Sequence, residues 1–297
     1  MKTPIHIVVA AATCAATAAL AAPAPAAVVR TSPGGHPHTQ VPAPVASTAA
    51  VRLPAATFGG PTSQKQPIVM SLAKGRRTGK ITLAYKESCG AGGNQDFAWE
   101  GLRPLNLSKK GAYKASSKRR LTFEDGWADV ESYQVKGVAK KGSARGTFHM
   151  HDVWYDEHGQ QDSSCDTGKI RFRVRDKGIL AGTTDEDAPV VMAVAPGLAH
   201  LNRLMVPWTA ACESGDWIWG TGDINAPVDP NGVFSATLTA PTLDMGDGKQ
   251  ALETETTSGL VTATNASGTW QVTATVIDAG EAAVDSCASD ELSFELG

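Results

Sequence analysis

The chain has few aromatic residues, 6%, and few charged ones, 19%. No segment keeps a helical hydrophobic period between a capping start and a glycine stop, which argues against a helical bundle. No apolar run beyond the N-terminus approaches the roughly 18 residues that a membrane helix needs, so no transmembrane anchor is expected. Catalytic signatures are missing too: there is no G-x-S-x-G, no H-E-x-x-H and no phosphate loop. No Cys-x-x-Cys pair occurs, which removes the usual zinc frameworks, and no cofactor is expected. Basic residues are nearly absent from one half: residues 179–297 hold two Lys+Arg. What is plentiful is Gly (30), Pro (17), Thr and Val, the composition of turn-rich β structure.

Met1 to Ala21 has the form of a secretory signal. Lys2 gives a basic start, Ile5 to Ala21 is apolar and Ala-rich, and Ala19-Leu20-Ala21 supplies a small-x-small cleavage pattern. Residues 22–61 are mostly Ala, Pro, Thr, Ser and Gly and have too few bulky side chains to offset their ordering entropy. They are expected to form a flexible tether. A signal followed by a tether fits a secreted, extracellular or cell-wall-associated protein.

The remainder repeats itself once. Gln66-Pro67-Ile68-Val69-Met70 returns as Ala188-Pro189-Val190-Val191-Met192, and Asp96-Phe97-Ala98-Trp99 returns as Asp216-Trp217-Ile218-Trp219. Gly137, Gly146 and Thr147 match Gly259, Gly268 and Thr269; Cys89 and Cys165 match Cys212 and Cys287. Two units follow, a basic one at 62–176 and an acidic one at 188–297, with 177–187 as linker. Period-two alternation at Ile81/Leu83/Tyr85, Ile170/Phe172/Val174 and Leu292/Phe294/Leu296 reads as strand. The expected fold is all-β: two tandem homologous antiparallel β-sandwich domains, immunoglobulin-like or jelly-roll-like.

Four cysteines beyond the signal allow three pairings. The repeat selects Cys89–Cys165 and Cys212–Cys287, because each unit then carries the same bridge. The chain-entropy model gives roughly 4–5 kcal/mol for loops of that length. Cys89, Trp99 and Cys165 have an immunoglobulin-like separation, but Asp162-Ser163-Ser164-Cys165 lacks the tyrosine two residues before the second cysteine.

Several side chains are candidates for function. His149 and His151 fall on one face of a strand, where they could share a zinc or copper ion, against the plain alternative of two surface histidines. Trp99 and Trp219 match across the units and are expected in the core. Trp127 follows a turn, has Lys249 as its counterpart, and is expected to be exposed, in reach of a carbohydrate. Thr-x-Thr pairs recur in the second unit and read as β-propensity on a solvated face.

Charge gives the sharpest signal. Residues 62–178 carry 22 Lys+Arg and 13 Asp+Glu, whereas residues 179–297 carry 2 and 17. Lys169, Arg171, Arg173 and Arg175 alternate with apolar residues, so the four cations share a face; the matched positions include Glu291, Ser293 and Glu295. Cations can protect an edge strand, but that does not demand opposite signs on two copies of one fold. The expectation is a non-catalytic secreted or surface binding protein whose basic unit contacts an anionic polysaccharide or wall polymer, or an acidic protein domain. Nucleic acid is not expected as a partner. Two other classes are a secreted hydrolase with its site between the units, and a structural surface protein assembling head to tail.

Overall fold

A computed structural model describes residues 56–297, apart from 76, 91–93, 124, 240–242 and 247–248, together with two short strands upstream. The expected leader, 1–21, lies outside the described residues. So does most of the expected tether, although within it Val29–Thr31 and Pro37–Thr39 pair as antiparallel strands, β1 and β2.

The first unit comprises β3 (Ala56–Pro61), β4 (Pro67–Leu72), β5 (Thr78–Cys89), β6 (Asn94–Gly101), β7 (Leu105–Asn106), β8 (Ala112–Thr122), β9 (Ala128–Lys140), β10 (Ser143–Tyr155), β11 (Gln161–Asp166) and β12 (Ile170–Arg175). The second comprises β13 (Ile179–Thr184), β14 (Pro189–Val194), β15 (His200–Cys212), β16 (Trp217–Pro227), β17 (Val233–Thr239), β18 (Leu243–Gly246), β19 (Lys249–Val261), β20 (Ala266–Ile277), β21 (Ala283–Ala288) and β22 (Leu292–Leu296). No α-helix occurs among the described residues, only a 3₁₀ turn at Pro196–Leu198.

The protein is all-β, with two sheets. The first has the order β11-β5-β4-β3-β12-β10-β9-β8, and β11 also pairs with β10, closing six strands into a barrel. The second has the order β16-β15-β14-β13-β22-β20-β19-β17, and β21 bonds both β15 and β20, so the equivalent six strands also pair in a ring. The architecture is thus of rings rather than face-to-face sandwiches. Period-two alternation cannot separate the two, since both bury alternate side chains; what decides is whether the last strand pairs back.

Unit boundaries also differ from the sequence reading. Ile179–Thr184, expected as linker, is strand β13 between β14 and β22, and Ala56–Pro61, expected as tether, is strand β3. Both segments are short and rich in Ala, Gly and Thr, a composition shared by loops and by strands packed closely against a neighbour.

The disulfides Cys89–Cys165 and Cys212–Cys287 are present, each joining residues directly opposite on neighbouring strands, β5 to β11 and β15 to β21. Each barrel has its own apolar core, the first including Phe58, Tyr85, Phe148 and Phe172, the second Trp208, Phe234, Trp270 and Phe294. The repeated glycines have a packing role. Gly137 faces Gly146 across β9–β10, and Gly259 faces Gly268 across β19–β20. A Cβ on Gly146 would sit 2.6 Å from the Phe172 ring, and one on Gly259 2.7 Å from the Phe234 ring. The missing side chains make the space those rings fill.

The two units pack on each other through apolar side chains. Val69 meets Ile179, Ala181 and Val191. Phe97 stacks on Trp219 at 5.1 Å and meets Trp99 edge-on at 6.1 Å. Trp99 donates its indole N–H to the Glu186 carbonyl at 3.3 Å, and Lys86 lies over the Trp219 ring. Trp99 is therefore buried, and Trp219 partly buried, between the units and not inside either barrel, because both occupy the faces of β6 and β16 that point away from the barrel interiors.

Candidate functional site

Strand β12 is internal. It pairs with β10 along its length and meets β3 at Arg175, so its cations are not there to guard an edge. Ile170, Phe172 and Val174 are buried while Arg171, Arg173 and Arg175 are exposed. Lys169 is exposed in the loop just before the strand.

Register extends this face across three more strands. Arg173 lies opposite Arg145 of β10, Arg171 opposite Thr147, and Arg175 opposite Ser143. On β9, Lys136 pairs with Thr147 and Lys140 with Ser143; on β8, Lys114 pairs with Lys136 and Lys118 with Ser132. Arg120 follows on β8, its guanidinium 5.2 Å from the Tyr155 ring centre. The outward face of β8, β9, β10 and β12 thus carries Lys114, Lys118, Arg120, Lys136, Lys140, Arg145, Arg171, Arg173 and Arg175. Neighbouring strands are about 4.8 Å apart and same-face residues about 6–7 Å apart along a strand, so nearest neighbours among these charges lie within about a Debye length of one another. Among the described residues none of the nine is held in an ion pair. Sequence reasoning found β12 alone. The other cations alternate at the same period two, but nothing local says which strands become neighbours.

Asp166 and the two histidines border this face. His149 Nε2 lies 2.9 Å from Asp166 Oδ2, and His151 Nδ1 lies 3.4 Å from the same oxygen. Partial burial opposes charge on Asp166. The Gly168 amide, the His149 hydrogen bond and the charge of both imidazoles outweigh it and hold the carboxyl below its ordinary range. Both rings flank the Asp166 carboxylate. Among the described residues three potential ligand atoms gather only at Cys212, Asp285 and Cys287, where two belong to a disulfide.

Trp127 is not an exposed ring. It is partly buried with Phe123 against Trp154 and the Cys89–Cys165 bridge.

Five acidic residues of the first unit are internal. Glu87, Glu100, Asp129, Glu131 and Asp152 are all buried, and Arg119 reaches from β8 to bond both Glu131 and Glu100, the latter at 2.9 Å. The unit's surface is therefore more basic than its net charge suggests. In the second unit Glu253 and Glu255 point into the barrel, and burial pushes both carboxyls up to about 7. The face matching the cationic one holds Ser293 and Glu295 on β22, Ser267, Thr269, Gln271, Thr273 and Thr275 on β20, and more Thr and Ser on β19 and β17. It is a hydroxyl face and not an acidic one, and Glu291 falls outside the strand.

A groove of about 770 Å³ runs between the units, lined by Val69, Leu260, Leu296, several Thr and Ser hydroxyls, Lys80 and Glu295. Its titratable side chains are Lys80 and Glu295.

No protein-family model matches the chain. No curated protein is similar to it. Among solved structures, a protein of unknown function from the DUF3598 family of Nostoc punctiforme aligns at 11% identity, covering 80% of this chain and 94% of that one, with a TM-score of 0.18. A likeness that weak carries no argument here.

Proposed function

We propose that the protein is a non-catalytic binding protein acting outside the cell, built from two homologous β units, whose first unit holds an anionic polysaccharide or wall polymer on the outward face of β8, β9, β10 and β12. The observation that carries this reading is the set of nine cations, none held in an ion pair among the described residues, on four neighbouring strands, three of them internal. Like charges opposite one another cost stability, and a bound polyanion removes that cost. A polymer fits better than the protein's own second unit, because the matched face there is hydroxyl-rich and carries Glu295 as its acid. Two disulfides suit an oxidising compartment.

The test is binding of the full secreted chain to immobilised acidic polysaccharide over a salt series. Affinity should fall steeply from low to physiological salt. Arg171→Ser with Arg173→Ser should weaken it with little change in melting temperature, since both side chains point to solvent. Indifference to salt, or to the double variant, would refute the reading; tighter capture of an acidic protein than of any polysaccharide would shift it to a protein partner.

A further inference from the structure

Along the cationic face one place differs from the rest. Arg145 and Arg173 stand directly opposite each other on β10 and β12, on the same outward side. Beside them Lys140 of β9 stands opposite Ser143. These side chains, with Val138 and Ala144, line a hollow of about 170 Å³. Its base is fixed: Ala144 is buried, and the Tyr113 hydroxyl donates to the Arg145 carbonyl from inside the barrel. The Tyr113 hydroxyl is itself raised well above its ordinary range by burial and so stays protonated as a donor. Asp176 sits over Gly142 at the turn beyond and does not line the hollow.

Two guanidinium groups, an ammonium and a hydroxyl offer only donors apart from the hydroxyl oxygen. Guanidinium forks bind carboxylate, phosphate and sulfate alike through two parallel hydrogen bonds, but a carboxylate has two oxygens and fills one fork, whereas a tetrahedral anion has oxygens enough to meet both arginines. Elsewhere on the face cations lie opposite Thr, Ser or Val, or, at Lys114 and Lys136, opposite another lysine; Arg145 with Arg173 is a pair of arginines in direct cross-strand register. We infer that the hollow formed by Lys140, Ser143, Arg145 and Arg173 is a subsite for one tetrahedral oxyanion, a phosphate or sulfate group carried on the polymer. This rests on the polyanion reading of the face and adds to it a preference for tetrahedral anions over carboxylates.

The test uses the full chain with three polymers of comparable charge density, poly(glycerol phosphate), dextran sulfate and polygalacturonate, and with inorganic phosphate and sulfate against chloride at equal ionic strength. The wild type should bind the phosphate or sulfate polymer at least about tenfold tighter than polygalacturonate, the loss expected when the second of the two guanidinium forks is left unfilled. Which of the two binds tighter names the group. Arg145→Ser and Arg173→Ser should each abolish that preference and the binding of the free anion. Lys114→Ser, on the same face but outside the hollow, should weaken all three polymers alike and keep the preference. Melting curves confirm that each variant is folded. If polymers bind in a salt-dependent way without preference, or if the preference survives Arg145→Ser and Arg173→Ser, the subsite is refuted while the face stands. If the wild type binds none of the polymers, the face reading itself is refuted, and the subsite with it.

Discussion

Raising the pH from 5 to 8 should destabilise the second barrel, through Glu253 and Glu255. These residues sit two apart on β19, point inward, and are 6% and 3% exposed. The Trp208 indole N–H donates to Glu255 Oε1 at 3.0 Å, which favours the charged form, but burial dominates and both carboxyls titrate near 7. In the unfolded chain a glutamate titrates near about 4.3. A folded pKa above the unfolded one means that the contribution is fully present below about 4.3 and is lost as pH rises through about 7. One group moved by roughly 2.5 units is worth about 3 kcal/mol. Because the carboxyls repel, the pair titrates as a unit, and its total is of the order of 3–6 kcal/mol. For a domain of this size that is a fall in Tm of the order of 10 °C. Glu186, raised by burial and by Asp185 and Asp290, adds a slope of the same sign. Asp166 and Asp285 are lowered, so their contributions disappear only as pH falls below the carboxylate range, outside this window. The assay is thermal unfolding at constant ionic strength, comparing the wild type with Glu253→Gln/Glu255→Gln. The wild type should lose stability from pH 5 to 8, and the double variant should keep only the shallow Glu186 slope. Parallel pH profiles, or a wild type that gains stability with pH, would refute the reasoning.

Three further outcomes can be measured. Gly222→Ala should destabilise by several kcal/mol, since the new Cβ would lie 1.8 Å from Cζ2 of fully buried Trp270; an unchanged denaturation midpoint would contradict that packing. Cys212→Ser/Cys287→Ser should cost about 2–5 kcal/mol by denaturant unfolding, and non-reducing peptide maps of the wild type should link Cys89 only to Cys165. A fragment beginning at Ile179 should fold whereas one beginning at Ala188 should not, because the second lacks β13 and leaves β14 and β22 unpaired within the ring; equal cooperative unfolding of both would restore the linker reading.

What the sequence revealed and what it hid divide along the range of the interactions. Strand identity was legible at Ile170–Arg175, because alternation is local and each residue declares its side. Cysteine pairing was legible because duplication supplied a second copy of the same constraint. Ring closure was not, since it depends on β11 finding β10 and β21 finding β20 after a turn, with no composition of its own. Trp99 and Trp219 read as core; Trp99 is buried and Trp219 partly so, but between the units: a large apolar side chain states that it will be covered, not by what. Trp127 shows the converse error, as a position after a turn was taken for an exposed one. His149 and His151 gained a partner in Asp166 that sits in a different strand, invisible at sequence spacing.

The two units separate what the frame needs from what the face does. Both keep the facing glycines, the rings that fill the space beside them and the cross-strand bridge, so these serve the barrel. On the outward face the cations are not shared. Arg145, Arg171 and Arg173 stand where the second unit has Ser267, Ser293 and Glu295, and Lys136 where it has Ser258. The second unit pairs its strands in the same ring with hydroxyls there, so the ring does not require cations. The usual structural reason for cations on a sheet, protection of an edge, applies to β8, which bonds β9 on one side, but fails for β10 and β12, which are bonded on both. Cross-strand like charges such as Arg145 and Arg173 are destabilising in the absence of a counter-ion. A feature that the fold does not need, that edge protection does not explain and that costs stability when bare is accounted for by what it binds.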